Sequence, residues 1–170
     1  AGLGISAMLP DTISRGRLQE LQSHLVLLFT GVTRIASHIA AEQVNATPSK
    51  ASELQQMYQM VGQGVETLSG SSDISEFGRL LHEAWVLKRS LTDKVSPLYT
   101  DYVYETALKE GAIGGKLLGA GGGGFILLFV APDLQMRVRE KLRLLRVPFQ
   151  FEFQGTQIVH YQEGEEIEES

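Results

Sequence analysis

The 170-residue sequence predicts an α+β domain, a mainly antiparallel four-stranded sheet with helices covering one face. Three observations carry that expectation. The apolar runs Leu25–Phe29 and Phe125–Val130 are short and bounded by turn residues or proline, as buried strands are. Between and after them, apolar residues recur at steps of three and four, the spacing of helices that pack one face. Finally, Phe149-Gln150-Phe151-Glu152-Phe153 alternates strictly and Gly155 turns the chain into Gln157–Tyr161, which reads as a hairpin.

Taken in order, residues 1–16 carry Gly2, Gly4, Pro10 and Gly16, which break any pattern, and they read as a linker or a remnant of cloning. The domain is expected over 17–162. After the Leu25–Phe29 strand and its Thr30-Gly31 boundary, Thr33 caps a helix marked by Ile35, Ala36, Ile39 and Ala40. Thr47-Pro48 opens a second helix, whose stripe of Leu54, Met57, Val61, Val65 and Leu68 reads as core. Asp73 and Glu76 have the spacing of a capping box for the strongest amphipathic helix, with Ile74, Phe77, Leu80, Leu81, Ala84, Trp85 and Leu87 on its apolar face. On its other face lie His82, which reads as an ordinary partly buried residue, and Lys88 and Arg89. Ser96-Pro97 begins a helix with Leu98, Tyr102, Val103 and Ala107 on one side, and Pro132-Asp133 begins another with Leu134, Val138, Leu142 and Leu145 inward. The basic residues Arg137, Arg139, Lys141 and Arg143 form its solvated side. Residues 163–170 read as an acidic disordered tail.

Composition bounds the function. A chain 43 % hydrophobic and 21 % charged is that of a soluble globular protein, and a net charge of −5 argues against nonspecific nucleic-acid binding. No apolar run approaches the roughly 20 residues of a membrane span, and no secretion signal is visible. The absence of cysteine rules out disulfides and thiolate metal sites and fits a cytoplasmic protein. The four histidines have no ligand spacing, so no metal site is expected from this chain alone.

One stretch carries chemistry. Gly111 to Phe125 holds eight of the 18 glycines and reads as a loop entering the Phe125–Val130 strand. A flexible linker would be a polar glycine–serine run, whereas this one contains Ile113, Leu117 and Leu118. A packed loop facing a ligand or another domain explains it better, since bare main-chain N–H groups can converge on an anion and Lys116 adds a mobile cation. Gly119, Gly121 and Gly124 formally satisfy the dinucleotide fingerprint, but that motif needs a strand before it and a helix after it, and here the order is reversed. A P-loop fails too, because Leu117 stands where Ser or Thr belongs.

The run Gly114-Gly115-Lys116-Leu117-Leu118-Gly119-Ala120-Gly121-Gly122-Gly123-Gly124-Phe125 closely resembles the C-terminal motif of the GHMP small-molecule kinases. Two further stretches, Leu25 to Arg34 and Leu81 to Leu91, resemble the heptose 7-phosphate kinase and fucokinase branch. The resemblance implies a ferredoxin-like C-terminal domain of a two-domain kinase that moves the ATP γ-phosphoryl group to a hydroxyl of a small sugar or sugar phosphate. It further implies that the ATP phosphate loop, the catalytic carboxylate and most Mg²⁺ contacts belong to an N-terminal domain, to which no stretch here corresponds. Gly2-Leu3-Gly4-Ile5-Ser6-Ala7 only faintly resembles that phosphate loop, and Pro10 forbids the long helix that should follow. No catalytic residue is assigned here. Gly119, Ala120, Gly121, Gly122, Gly123, Gly124 and Lys116 are the expected cofactor-facing residues, and Arg34 and Lys88 the expected substrate contacts, with a solvated surface cation as the other reading of each. A ligand-binding or assembly module without chemistry is the alternative, and a homodimer is left open.

Overall fold

The computed structural model describes residues 13–31, 50–91, 98–118 and 124–152. Four strands, β1 (Leu25–Phe29), β2 (Ala112–Leu117), β3 (Phe125–Val130) and β4 (Leu145–Arg146), form one sheet in the order β2-β3-β1-β4, with every pairing antiparallel. The helices are α1 (Arg15–His24), α2 (Ala51–Ser69), α3 (Ser75–Leu91), α4 (Leu98–Lys109) and α5 (Gln135–Leu142), the last preceded by a 3-10 turn at Pro132–Leu134.

Helices cover both faces of the sheet, where the sequence reading placed them on one. Strand alternation separates the two faces. Leu25 and Phe129 pack with Leu21, Ile74, Phe77 and Leu81, from α1, α3 and the turn before α3. Val26, Leu28, Leu117, Ile126, Leu128 and Val130 pack instead with Val103, Tyr104 and Ala107 of α4, Val138 of α5 and Trp85 of α3. Each fully buried aliphatic or aromatic side chain contributes roughly 1.5–3 kcal/mol, so these two clusters supply most of the drive to fold.

Several elements depart from the expected layout. The chain enters α1 at Arg15, within the stretch read as linker: the Ser14 hydroxyl caps the helix by accepting from the Arg17 main-chain N–H, and Ile13 is buried. The Arg17 guanidinium donates to the Thr67 and Ser72 carbonyls, tying α1 to the end of α2 and the turn beyond it. Asp73 accepts from the Ser75 main-chain N–H at 2.8 Å, a bond that holds its carboxyl below the usual range. The reciprocal half of the expected capping box is absent, because Glu76 pairs with Arg79 instead. The Met57 and Val65 stripe of α2 is only half-buried, and it lines an apolar cavity of about 380 Å³ with Phe77, Leu80 and Leu81 rather than filling a core. On α4 the buried residues are Thr100, Val103, Tyr104 and Ala107, while Leu98 and Tyr102 face outward.

The expected strand at 149–153 does not form over its described part. Val147 donates to the Leu27 carbonyl as the last rung beside β4, and Pro148 has no N–H with which to continue the ladder. Phe149 and Phe151 still pack against the Leu25–Phe129 cluster, so the alternation reported a face without a strand. Leu145 lies in β4 and is exposed, because Arg143 ends α5 in the left-handed region at φ 53°. The helix expected after Thr33, the Gln157–Tyr161 strand and the 163–170 tail lie outside the described residues.

The largest surprise is β2, which occupies the first half of the glycine stretch. A bulge at Ile113 places Gly114 opposite Phe129, on the face that α3 covers. A Cβ built on Gly114 would lie 2.0 Å from the Gly78 carbonyl oxygen and 2.9 Å from the His82 main-chain nitrogen. Glycine is therefore required there by close helix–strand approach. Substituting Gly114→Ala should cost about 1–3 kcal/mol or more in chemical denaturation, as overpacking against main chain does. Gly62→Ala, at a helical position with nothing within 4 Å, should stabilise by about 0.4–1 kcal/mol. Equal effects of the two substitutions would contradict this packing.

Candidate functional site at the glycine loop

Residues 119–123 join two paired stems at one end of the sheet. Leu118 donates its N–H to the Phe125 carbonyl at 2.8 Å, closing the β2–β3 ladder immediately before the loop. On the other side, Gly124 takes φ +92°, a conformation that side chains disfavour, and turns the chain into β3. Its carbonyl accepts two hydrogen bonds from Thr30, one from the main-chain N–H at 2.7 Å and one from the hydroxyl at 3.0 Å. Thr30 is buried, and the antiparallel pairing of Phe29 with Phe125 brings the end of β1 to the same edge. The Phe29 and Phe125 rings meet at a tilt across that pair, with centroids 5.2 Å apart. The two stems of the loop are thus held where three strand ends meet.

Lys116 leaves β2 on the face that α3 covers, one strand repeat beyond Gly114. Lys88, in the last turn of α3, is half-buried. Burial, and then the charge of Lys116, holds its ammonium below the ordinary lysine range. Two cations that feel each other meet at this corner of the domain. Arg89, the next residue, pairs with Asp101 of α4 at 3.3 Å.

At the outer edge of β2, His82 Nδ1 and the Tyr104 hydroxyl are 2.8 Å apart, and their rings stack nearly parallel with centroids separated by 6.0 Å. Trp85 meets the same tyrosine edge-on at 6.2 Å. Burial pushes the Tyr104 hydroxyl up to about 12, against the opposing pull of Arg89 and of a main-chain hydrogen bond from Gly115.

Of the residues expected at a ligand site, Lys116, Lys88 and Gly124 lie at this end of the domain. Gly119, Ala120, Gly121, Gly122, Gly123 and Arg34 lie outside the described residues. Sequence reasoning assigned no role to Thr30 beyond a strand boundary and none to Tyr104. The Thr30-Gly31 pair ending an apolar run was the available signal for the first, and nothing local marked the second. Among the described residues no group of three His, Asp or Glu could hold a metal ion, and no helix is long and apolar enough to cross a membrane.

An antiparallel sheet with a glycine hairpin at one end and helices on both faces defines the architecture, and comparison with known proteins defines the family. Residues 65–144 match the model described as GHMP kinases C terminal, and the chain carries a GHMP kinase C-terminal domain. It is 29 % identical over 136 residues to the D-glycero-alpha-D-manno-heptose 7-phosphate kinase of Campylobacter jejuni, covering 79 % of this chain and 40 % of that protein. It is 33 % identical over 118 residues to the L-fucokinase/L-fucose-1-P guanylyltransferase of Bacteroides fragilis, covering 67 % of this chain and 12 % of that one. These relatives lie in the branch that the Leu25–Arg34 and Leu81–Leu91 stretches resemble. The structure of L. major mevalonate kinase in complex with R-mevalonate shares the fold, with a TM-score of 0.62 at 21 % identity over 72 % of this chain and 40 % of that one. The chain therefore spans well under half the length of these relatives.

The raised Tyr104 value has a consequence for stability. An unfolded tyrosine ionises near pH 10, whereas the folded one resists ionisation until about 12. The burial of neutral Tyr104 thus contributes stability that is fully present below about pH 10 and lost as pH rises toward 12. The difference in unfolding free energy between the parent chain and Tyr104→Phe should shrink as pH rises through that window. A difference that stays constant from pH 9 to 11, on the scale of ordinary tyrosine titration near 10, would contradict the assignment.

Proposed function

We propose that this chain is the C-terminal domain of an ATP-dependent kinase that phosphorylates a hydroxyl of a small sugar or sugar phosphate. The glycine loop forms one wall of the cleft between the domains. The observation that carries this reading is the fixed loop stem. Thr30, Leu118 and Phe125 pin both ends of a five-residue glycine-rich segment, and Lys116 and Lys88 bring positive charge to the same end. Pinned main chain with few side chains can approach a polyphosphate closely and offer it N–H donors, while lysine supplies a point charge. The two kinase relatives support the sugar class of acceptor.

In the reaction, the acceptor hydroxyl oxygen bonds to the γ-phosphorus, the bond from that phosphorus to the bridging oxygen breaks, and ADP leaves. The acceptor proton goes to a base. Such a transfer is catalysed mainly by positioning and charge neutralisation. This chain's share is positional and electrostatic: the loop main chain and Lys116 face the phosphates, and Lys88 and Arg34 face the acceptor. Mg²⁺, the ATP phosphate loop and the base belong to an N-terminal domain outside this chain. The intact enzyme works in the cytoplasm.

The 170-residue chain alone should therefore show no ATP-dependent phosphorylation of heptose 7-phosphate or fucose, whereas the longer protein should phosphorylate one of them. Turnover by the isolated chain would contradict the division of labour. Sugar binding without turnover by the longer protein would instead favour a binding module. In the intact enzyme, Gly122→Val should lower kcat by about 100-fold or more, as misplacement of a positioning element does, with the melting temperature of the domain unchanged. An unchanged rate would remove the loop from the mechanism.

A further inference from the structure

Beyond the loop itself, the outer edge of β2 is held in an unusual way. Among the described residues β2 is the terminal strand of the sheet, and its outward N–H and C=O groups have no strand partner there. The His82 main chain lies against Gly114 on the face that α3 covers, while Tyr104 sits in the cluster on the opposite face. A hydrogen bond between residues based on opposite faces has to pass around the free edge of the strand that separates them. Here it does so at 2.8 Å, with the two rings stacked and Trp85 meeting the tyrosine edge-on. Gly114 lets α3 come this close, since a Cβ there would strike the Gly78 carbonyl oxygen and the His82 main-chain nitrogen.

We propose that His82 and Tyr104 form a clasp around the outer edge of β2 and act as positioning residues for the glycine loop. The clasp grips the strand one residue before Lys116 and three before Leu118, where the pairing ends and the loop begins. Thr30 fixes the β3 stem of the loop, and the clasp fixes the β2 stem. Without the clasp the β2 stem would be held on its inner side alone, and Lys116 and the first loop residues would sample a wider range of positions. Neither residue touches a reacting atom. Their contribution is to keep the loop where phosphoryl transfer needs it, and the inference rests on the loop reading given above.

The test uses the intact kinase with Tyr104→Phe, His82→Ala and His82→Asn, alongside Gly122→Val. Asparagine places an acceptor oxygen close to the position of Nδ1 and retains the hydrogen bond that alanine removes. Tyr104→Phe and His82→Ala should each lower kcat by about tenfold or more with KM for ATP within about twofold, and His82→Asn should restore most of the rate. Amide exchange at Gly115 and Lys116 should quicken in the first two variants and remain slow in the third. If Tyr104→Phe proves too unstable to assay, the His82→Ala and His82→Asn pair decides alone. Unchanged kcat in His82→Ala, or equal loss in His82→Ala and His82→Asn, would overturn the clasp while a damaged Gly122→Val enzyme left the loop reading intact. Silence of all four variants, Gly122→Val included, would overturn both.

Discussion

The structure depends on one close approach, that of helix α3 to strand β2 at Gly78 and Gly114. Both positions lack a side chain because a neighbouring element occupies the space: the Gly78 carbonyl lies where a Gly114 Cβ would be, and the Phe129 ring of β3 lies 2.6 Å from where a Gly78 Cβ would be. Contact this close lets a helix with a polar outer side lie over an edge strand that contributes little apolar surface of its own. It also sets the height of α3 above the sheet, and with it the positions of His82, Trp85 and Lys88 further along the same helix. Remove that contact and the loop stem, the lysine corner and the edge clasp all lose their frame.

The glycines of the motif thus divide into two groups with different physical purposes. Gly114 and Gly115 are packing residues in a strand, and neither has a positive φ. Gly124 is a conformational residue, turned into the left-handed region so that its carbonyl can meet both donors of Thr30. Lysine placement follows the same logic. The strand repeat carries Lys116 toward α3 and the helix brings Lys88 to it, so each cation is placed by an element that the glycine contact has fixed.

Legibility in the sequence followed the source of each element's stability. β1 and β3 were readable residue by residue because they are buried on both faces and are therefore apolar throughout. α3 was readable because its apolar stripe is wide. β2 was hidden, since its packing demands glycine and so erases both strand propensity and hydrophobic pattern. α1 was hidden for a different reason: Leu18 and Leu21 give it little stripe, and Arg17 holds it through hydrogen bonds whose partners lie some 50 residues away in α2 and its turn. At the site, Lys116 was legible within the glycine stretch itself, and Lys88 came from resemblance to a family. Thr30 with Gly124, 94 residues apart, and His82 with Tyr104, 22 apart, are products of topology that no local pattern records.

The central claim is that this pinned loop faces the phosphoryl group in flight. A crystal structure of the intact protein with a non-hydrolysable ATP analogue and its sugar acceptor addresses it most directly. The account predicts phosphate or acceptor oxygens within about 3 Å of main-chain N–H groups between Gly119 and Gly124, with the Lys116 ammonium on the same side. A complex in which nucleotide and acceptor both bind well away from the end of the sheet where β1, β2 and β3 meet would contradict it.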